Sequence, residues 1–274
     1  MLNPGYSADT SWWGVGAASL LLLGVFFVLA PQLTMAQPTS GYDWEVDATK
    51  DTDGDNRWED TVGTAGFELL LDNSPAVTRT SQAAGAFFSH AYNFIGGSIN
   101  NEAGALLVQT GTTTASSFQN YPGDWSNNKV TMEIWLKPDN LAPTPNNGQI
   151  VFEDGGGTGL GFFIDDNKIE VRKQPGNKEV TYNLSTDPSS ILKGAATAKF
   201  FQAVGTYDVS TGKLQLYVNG TFIGEQTPGG NDWSGGDSAA FGTRGAANVG
   251  GIGGGQQSTE SFDGQIALVR VYDN

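Results

Sequence analysis

"KLQLYVNGTFIGE", residues 213–225, decides the fold. Leu214, Leu216 and Val218 alternate with Lys213, Gln215 and Tyr217. That period of two places the apolar residues on one face of a β-strand. Asn219-Gly220 follows, a dipeptide that accepts two consecutive positive φ angles, so a type I′ turn is predicted, with Thr221–Glu225 returning as the partner strand. A hairpin with one apolar face needs a second layer to cover it.

The rest of the chain repeats the pattern. In "VTMEIWLKP", Val130, Met132, Ile134 and Leu136 fall on one face, and Thr131, Glu133, Trp135 and Lys137 on the other. Ile150 and Phe152 alternate in "GQIVFED", Ile169 and Val171 in "NKIEVRK", and Val180, Tyr182 and Leu184 in "KEVTYNL". "KFFQAVGTYD" and "GQIALVRVYD" are long and mostly apolar, as expected of strands near the middle of a sheet. "YDWEV" and "FELLLD" read as strands on either side of an acidic turn. No segment after Tyr42 keeps an apolar period of 3.6 residues, and "DPSSILKGAA" has room for one helical turn. Roughly a dozen short strands predict an all-β, two-sheet antiparallel sandwich spanning residues 42–274. The 38 glycines and 11 prolines suit the turns such a fold needs.

Ahead of it, residues 12–30, "WWGVGAASLLLLGVFFVLA", carry no charge. As a helix they extend about 28 Å, close to the thickness of a bilayer's hydrocarbon layer. Residues 1–36 thus read as a signal peptide, cut after Ala36, or as a single membrane-anchor helix; both readings place the sandwich outside the cytoplasm. The first basic residue is Lys50, so no positive n-region chooses between them. Residues 37–41 read as a linker.

Three blocks in this order, "VTMEIWLKPDN", "FFQAVGTYDVSTGKLQLYVNGTFIGE" and "FDGQIALVRVYDN", resemble a laminin-G-like domain of the concanavalin A-like lectin and glucanase superfamily. The resemblance implies a jelly-roll sandwich with adjacent first and last strands, and extracellular binding or adhesion as the commonest role. It also implies calcium, often held on a sandwich edge. None of its calcium ligands maps onto a numbered position here.

A net charge of −15, with no basic patch, argues against nucleic acid as a partner. The absence of cysteine removes disulfides, thiolate metal sites and cysteine nucleophiles. "DTDGDNRWED", residues 51–60, fails as an EF-hand: the sixth position is Asn56 and the twelfth Val62. An irregular calcium site remains, with Asp51, Asp53 and Asp55 converging around Gly54 and Glu59 or Asp60 closing the shell. If the ends of the domain meet, Asp263 is expected nearby; the alternative is a solvated turn.

Sugar hydrolysis needs two carboxylates across one cleft. The glucanase branch that the resemblance brings in carries Glu-x-Asp-x-x-Glu on one strand. Here Glu133 is followed by Trp135 where the aspartate belongs, and Glu45 and Asp47 are followed by Lys50 where the second glutamate belongs. The lone histidine, His90, adjoins Ser89, and neighbours on a strand point to opposite faces, so no serine–histidine pair is expected. The glycine runs "EDGGGTGLG" and "GGIGGG" lack the lysine and helix of a phosphate loop. Asn183-Leu-Ser and Asn219-Gly-Thr fit a glycosylation pattern.

Trp125 and Tyr121 in "YPGDWSNNK", and Trp233 and Asp232 in "GGNDWSGGD", combine exposed rings with amides and carboxylates, a chemistry that suits a sugar face or a protein interface. The expected function is therefore non-catalytic, extracytoplasmic binding or adhesion through edge loops, directed at a glycan or protein surface and assisted by calcium. The alternatives are an accessory subunit held in a membrane assembly through residues 12–30, and a relative of the glycoside hydrolases.

Overall fold

A computed structural model describes residues 43–63, 66–71, 77–83, 86–96, 104–114, 116–118, 129–141, 148–154, 159–173, 178–184, 199–228, 238–243 and 260–273. The hydrophobic segment 12–30, the linker 37–41 and the short turn at 187–196 lie outside them. Among the described residues no helix is long and apolar enough to cross a membrane.

Among the described residues one sheet contains eight strands and the other nine. The eight are β1 (Trp44–Asp47), β4 (Thr78–Ser81), β5 (His90–Phe94), β7 (Lys129–Pro138), β12 (Phe201–Asp208), β13 (Lys213–Val218), β14 (Thr221–Gln226) and β17 (Gly264–Asp273). Their order is β14-β13-β12-β7-β17-β5-β4, and β1 pairs with the far half of β17. The nine-stranded sheet holds β2 (Arg57–Trp58), β3 (Phe67–Leu71), β6 (Ala105–Gln109), β8 (Gln149–Asp154), β9 (Leu160–Asp165), β10 (Lys168–Lys173), β11 (Lys178–Asn183), β15 (Ala240–Phe241) and β16 (Glu260–Ser261). Its order is β11-β10-β9-β8-β15-β6-β3-β2, with β16 lying parallel to β8. The count exceeds a dozen because β2, β15 and β16 are two-residue strands with no readable period.

The hairpin forms as its residues dictate. Asn219 and Gly220 adopt φ of 48° and 73°, and Leu214, Leu216 and Val218 are buried. The long apolar strands are central: β12 lies between β13 and β7, and β17 between β7 and β5. Inward-facing side chains of both sheets form one core, including Val130, Met132, Ile134 and Leu136 from β7 and Phe152, Phe162 and Val171 from the opposite sheet.

The alternation in β8 does not hold. The register shifts between Ile150 and Phe152, so Val151 and Phe152 join the main core while Ile150 packs on Phe163 in a separate cluster. A bulge inserts one residue into the period and turns the following side chains over. The first and last strands are neighbours: Trp44 pairs with Val271 and Asp47 with Leu268.

Trp44 joins the two layers. It is fully buried, donates Nε1–H to the Phe67 carbonyl at 3.2 Å, meets Phe118 edge-on at 5.1 Å and stacks on Phe241 at 6.4 Å. Trp44→Ala is expected to destabilise the sandwich by about 3–5 kcal/mol, read as a fall in the urea midpoint at unchanged slope.

Candidate functional site

Two constellations carry chemistry: the acidic turn after β1 and the solvent-side face of the eight-stranded sheet.

The acidic turn begins where β1 ends. The amides of Lys50 and Asp51 donate to the Asp47 carbonyl at 2.9 and 3.2 Å, which folds the chain back. Gly54, at φ 73°, supplies the left-handed residue that reverses it. Arg57 and Trp58 anchor the far end: Arg57 forms an ion pair with Glu68 and donates to the Thr112 carbonyl at 3.1 Å, and Trp58 is fully buried beside Tyr92.

This geometry brings Asp51, Asp53 and Glu59 together, with one carboxylate oxygen from each lying within 4.8 Å of the others. Asp55 and Asp60 do other work. Asp55 accepts the amide of Arg57 at 2.7 Å, closing a local turn. Asp60 accepts the amides of Glu45 and Val62 at 3.1 and 3.0 Å. Asp263 lies elsewhere. The ends of the domain do meet, but Ala48 donates to Ala267, and β17 carries Asp263 onward to Asp139 and Gly96.

Asp51 is buried, and Tyr92 donates its hydroxyl to Oδ2. Burial raises the Asp51 carboxyl to about 6, with Asp53 and Asp55 adding to the rise and Arg79 opposing it. Burial also raises Glu59, as do the charges of Asp51, Asp53 and Asp55.

On the sheet face, Arg270 of β17 lies between two buried carboxylates. Its Nε is 2.6 Å from Glu45 Oε2, and its Nη1 is 3.7 Å from Glu133 Oε2. Glu45 also accepts from Lys50 at 2.6 Å and from the Thr61 hydroxyl. Burial by itself would raise Glu45, but these donors outweigh it and hold the carboxyl below its usual range. Glu133 accepts Trp135 Nε1–H at 2.6 Å, Gln202 Nε2–H at 2.7 Å and the Tyr272 hydroxyl at 2.6 Å.

Beside this closed network the face is open and aromatic. The segment between β4 and β5 lays Phe87 flat on Trp135, with centroids 5.2 Å apart and planes at 15°, and Phe87 is 70% exposed. Phe88 fills the space beneath, edge-on to Trp135 and Phe200, over Ala91, Ala267 and Leu268. Lys137 Nζ lies 5.8 Å above the Phe200 ring. Gln82, Gln265 and Asn93 form an amide row beside it, linked at 3.1 and 3.5 Å.

The sequence places Trp135 and Lys137 on the outward face but does not single out Phe87. Its signal is the Phe87-Phe88 pair, since adjacent aromatics cannot both point into one core from a strand. Trp125, Tyr121, Trp233 and Asp232 lie outside the described residues. The expectation that Ser89 and His90 diverge fails: Ser89 precedes β5, so strand alternation does not apply, and its Oγ lies 2.9 Å from His90 Nδ1. The other ring nitrogen lies 3.4 Å from Ser81 Oγ, so a hydroxyl stands where a catalytic triad needs a carboxylate.

A family model described as the concanavalin A-like lectin/glucanases superfamily matches residues 110–274, more than half of the chain. The chain belongs to that superfamily. Solved structures with the same fold include three toxin binding domains. The receptor-binding domain of botulinum neurotoxin mosaic serotype C/D has a TM-score of 0.54 at 15% identity, covering 85% of this chain and 47% of its own. The binding domain of botulinum neurotoxin DC in complex with rat synaptotagmin II has a TM-score of 0.51 at 16% identity, covering 85% and 48%. The botulinum neurotoxin serotype D binding domain has a TM-score of 0.53 at 13% identity, with the same coverage. The chain spans about half the length of these structures, and at such identities the likeness is one of fold. No curated protein matches the sequence.

The raised Asp51 fixes the sign of a pH effect. Its folded-state pKa exceeds the unfolded value of about 3.9, so its ionisation opposes folding increasingly as pH rises from about 4 to 6. In excess chelator, Asp51→Asn is expected to be more stable than wild type at pH 7.5 by up to about 3 kcal/mol. The difference should shrink towards zero near pH 4, measured by urea unfolding of both proteins at each pH.

Proposed function

We propose that the sandwich is a non-catalytic binding module, displayed outside the cytoplasm, that recognises a glycan or a protein surface. The observation that carries this reading is the Phe87–Trp135 stack, an exposed flat ring held over its own small apolar base. A ring of this kind packs against the apolar face of a pyranose, and the neighbouring amides of Asn93 and Gln265 and the ammonium of Lys137 offer hydrogen bonds to sugar hydroxyls. One structural neighbour is a toxin binding domain in complex with rat synaptotagmin II, which makes a protein surface the second class of target.

The acids on this face support the non-catalytic reading. A glycosidase acid must reach the scissile bond and exchange a proton there. Glu45 and Glu133 are 0% and 3% exposed, and each is committed to several donors. Export would rest on residues 12–30, acting as a cleaved signal or as a retained anchor.

A glycan array probed with the full chain, with and without chelator, tests the reading. Retention of a glycan class is expected, with Phe87→Ala binding it about tenfold or more weakly at unchanged thermal stability. No glycan bound in either condition, or equal binding by Phe87→Ala, contradicts the sugar assignment.

A further inference from the structure

Three large apolar side chains stand exposed among the described residues: Phe87, Ile95 and Phe222. The two rings share one face of the eight-stranded sheet. Phe222 pairs with Tyr217 across the β13–β14 hairpin, and Tyr217 points away from the core because it alternates with the buried Leu216 and Val218. The register runs on from Tyr217 to Val204 of β12 and then to Glu133 of β7, two residues before Trp135 on the same face. Phe222 is half exposed and leans on Tyr217, with centroids 5.4 Å apart and planes at 60°. Phe87 and Phe222 thus each rest on a second ring rooted in the sheet.

Each ring pair has polar groups two residues along its strand. Beside Trp135 the row is Lys137, Gln265 and Asn93. Beside Tyr217 it is Gln215, with Glu225 opposite on β14. Gln215 donates Nε2–H to Glu225 Oε2 at 3.0 Å, and Lys213 Nζ lies 3.2 Å from Oε1. Lys213 and Glu225 are both exposed, so an ammonium and a carboxylate stand side by side in solvent, one to donate to a sugar hydroxyl and one to accept from it. Between the two ring pairs the floor is polar: Gln202 donates to Glu133 at 2.7 Å and Thr206 to Gln215 at 3.1 Å, both nearly buried.

We infer that this face takes a linear glycan long enough to lie on both ring pairs, rather than a single terminal sugar. The inference rests on the sugar reading of the Phe87–Trp135 stack and extends it. In the order β14-β13-β12-β7 the two ring pairs stand up to three strand spacings apart, about 14 Å. That exceeds one pyranose ring, so a short glycan reaches one pair and a polymer reaches both. The second contact is then made without a second loss of translational freedom, and affinity rises with chain length. The layout also favours a glycan over a protein. A protein interface has one contiguous apolar centre inside a polar rim, whereas here two aromatic spots are divided by a polar floor. A sugar chain matches that division, since it presents apolar ring faces between edges of hydroxyls.

Affinity electrophoresis of the full chain through gels holding xylan, mixed-linkage β-glucan, galactomannan or alginate provides the test. At least one polymer is expected to retard it. For that polymer, calorimetry is expected to show the hexasaccharide bound about tenfold or more tightly than the disaccharide. Phe222→Ala is expected to lose about tenfold in affinity for the hexasaccharide and to bind the disaccharide within about threefold of wild type, while Phe222→Tyr, which keeps the ring, matches wild type for both. Phe87→Ala is expected to weaken both. Thermal melting confirms folding of each variant, and Phe222→Gln takes the place of Phe222→Ala if the latter fails to fold. Hexasaccharide binding that Phe87→Ala weakens and Phe222→Ala leaves unchanged overturns this inference while the sugar reading of Phe87 stands. Retention of short glycans on the array with no polymer retarding the protein does the same. No binding on the array or in the gels overturns both together.

Discussion

One guanidinium ties the first strand, the last strand and β7 together. Arg270 lies on the last strand, nearly buried, with Glu45 of the first strand on one side and Glu133 of β7 on the other. The backbone of the same strand hydrogen-bonds to three partners: β7 along its length, β5 at its start and β1 at its end. The ion network thus fixes, on the outer face, the register that the core fixes on the inner face. Buried ions of this kind gain little beyond a well-packed apolar substitute, but removing one partner leaves a bare charge at a cost of about 3–5 kcal/mol. The network therefore adds little net stability while intact, although breaking it is costly.

That constraint divides one sheet face into two halves with different chemistry. Near β1 the face is closed, since Glu45 and Glu133 are sealed from solvent and held by Lys50, Thr61, Arg270, Trp135, Gln202 and Tyr272. Towards β5 it is open, and Phe87 lies on Trp135 with most of its surface in water. Trp135 belongs to both halves: its ring carries Phe87 while its Nε1–H holds Glu133. Glu133 thus anchors the ring on which Phe87 lies.

Much of this was legible in the sequence, because a period of two with an Asn-Gly turn admits few structures. The inward faces of β7, β10 and β13 follow directly from their alternation. The bulge at Val151 was not legible: a bulge changes the period by one residue, and a strand of six contains too few periods to reveal it. The acidic turn was legible as a cluster but not in its division of labour. Asp53 and Asp55 each accept the amide two residues on, but only Asp53 also places an oxygen beside Asp51 and Glu59, a difference set by the turn's φ and ψ. Asp263 was misplaced because pairing of the chain ends fixes neighbours at one point, while β17 travels on for several residues beyond it. Phe87 escaped because its exposure is set by a segment that folds across the sheet, which no local pattern encodes.

The central claim is that closure of β1 and β7 onto β17 holds the sandwich together. Native-state hydrogen exchange tests it most directly. If the claim is right, the amides of β1 and β17 exchange only through global unfolding, together with those of β7 and more slowly than those of the edge strand β14. Exchange of β1 and β17 through a separate opening of lower free energy, while β7 and β12 stay protected, would contradict it.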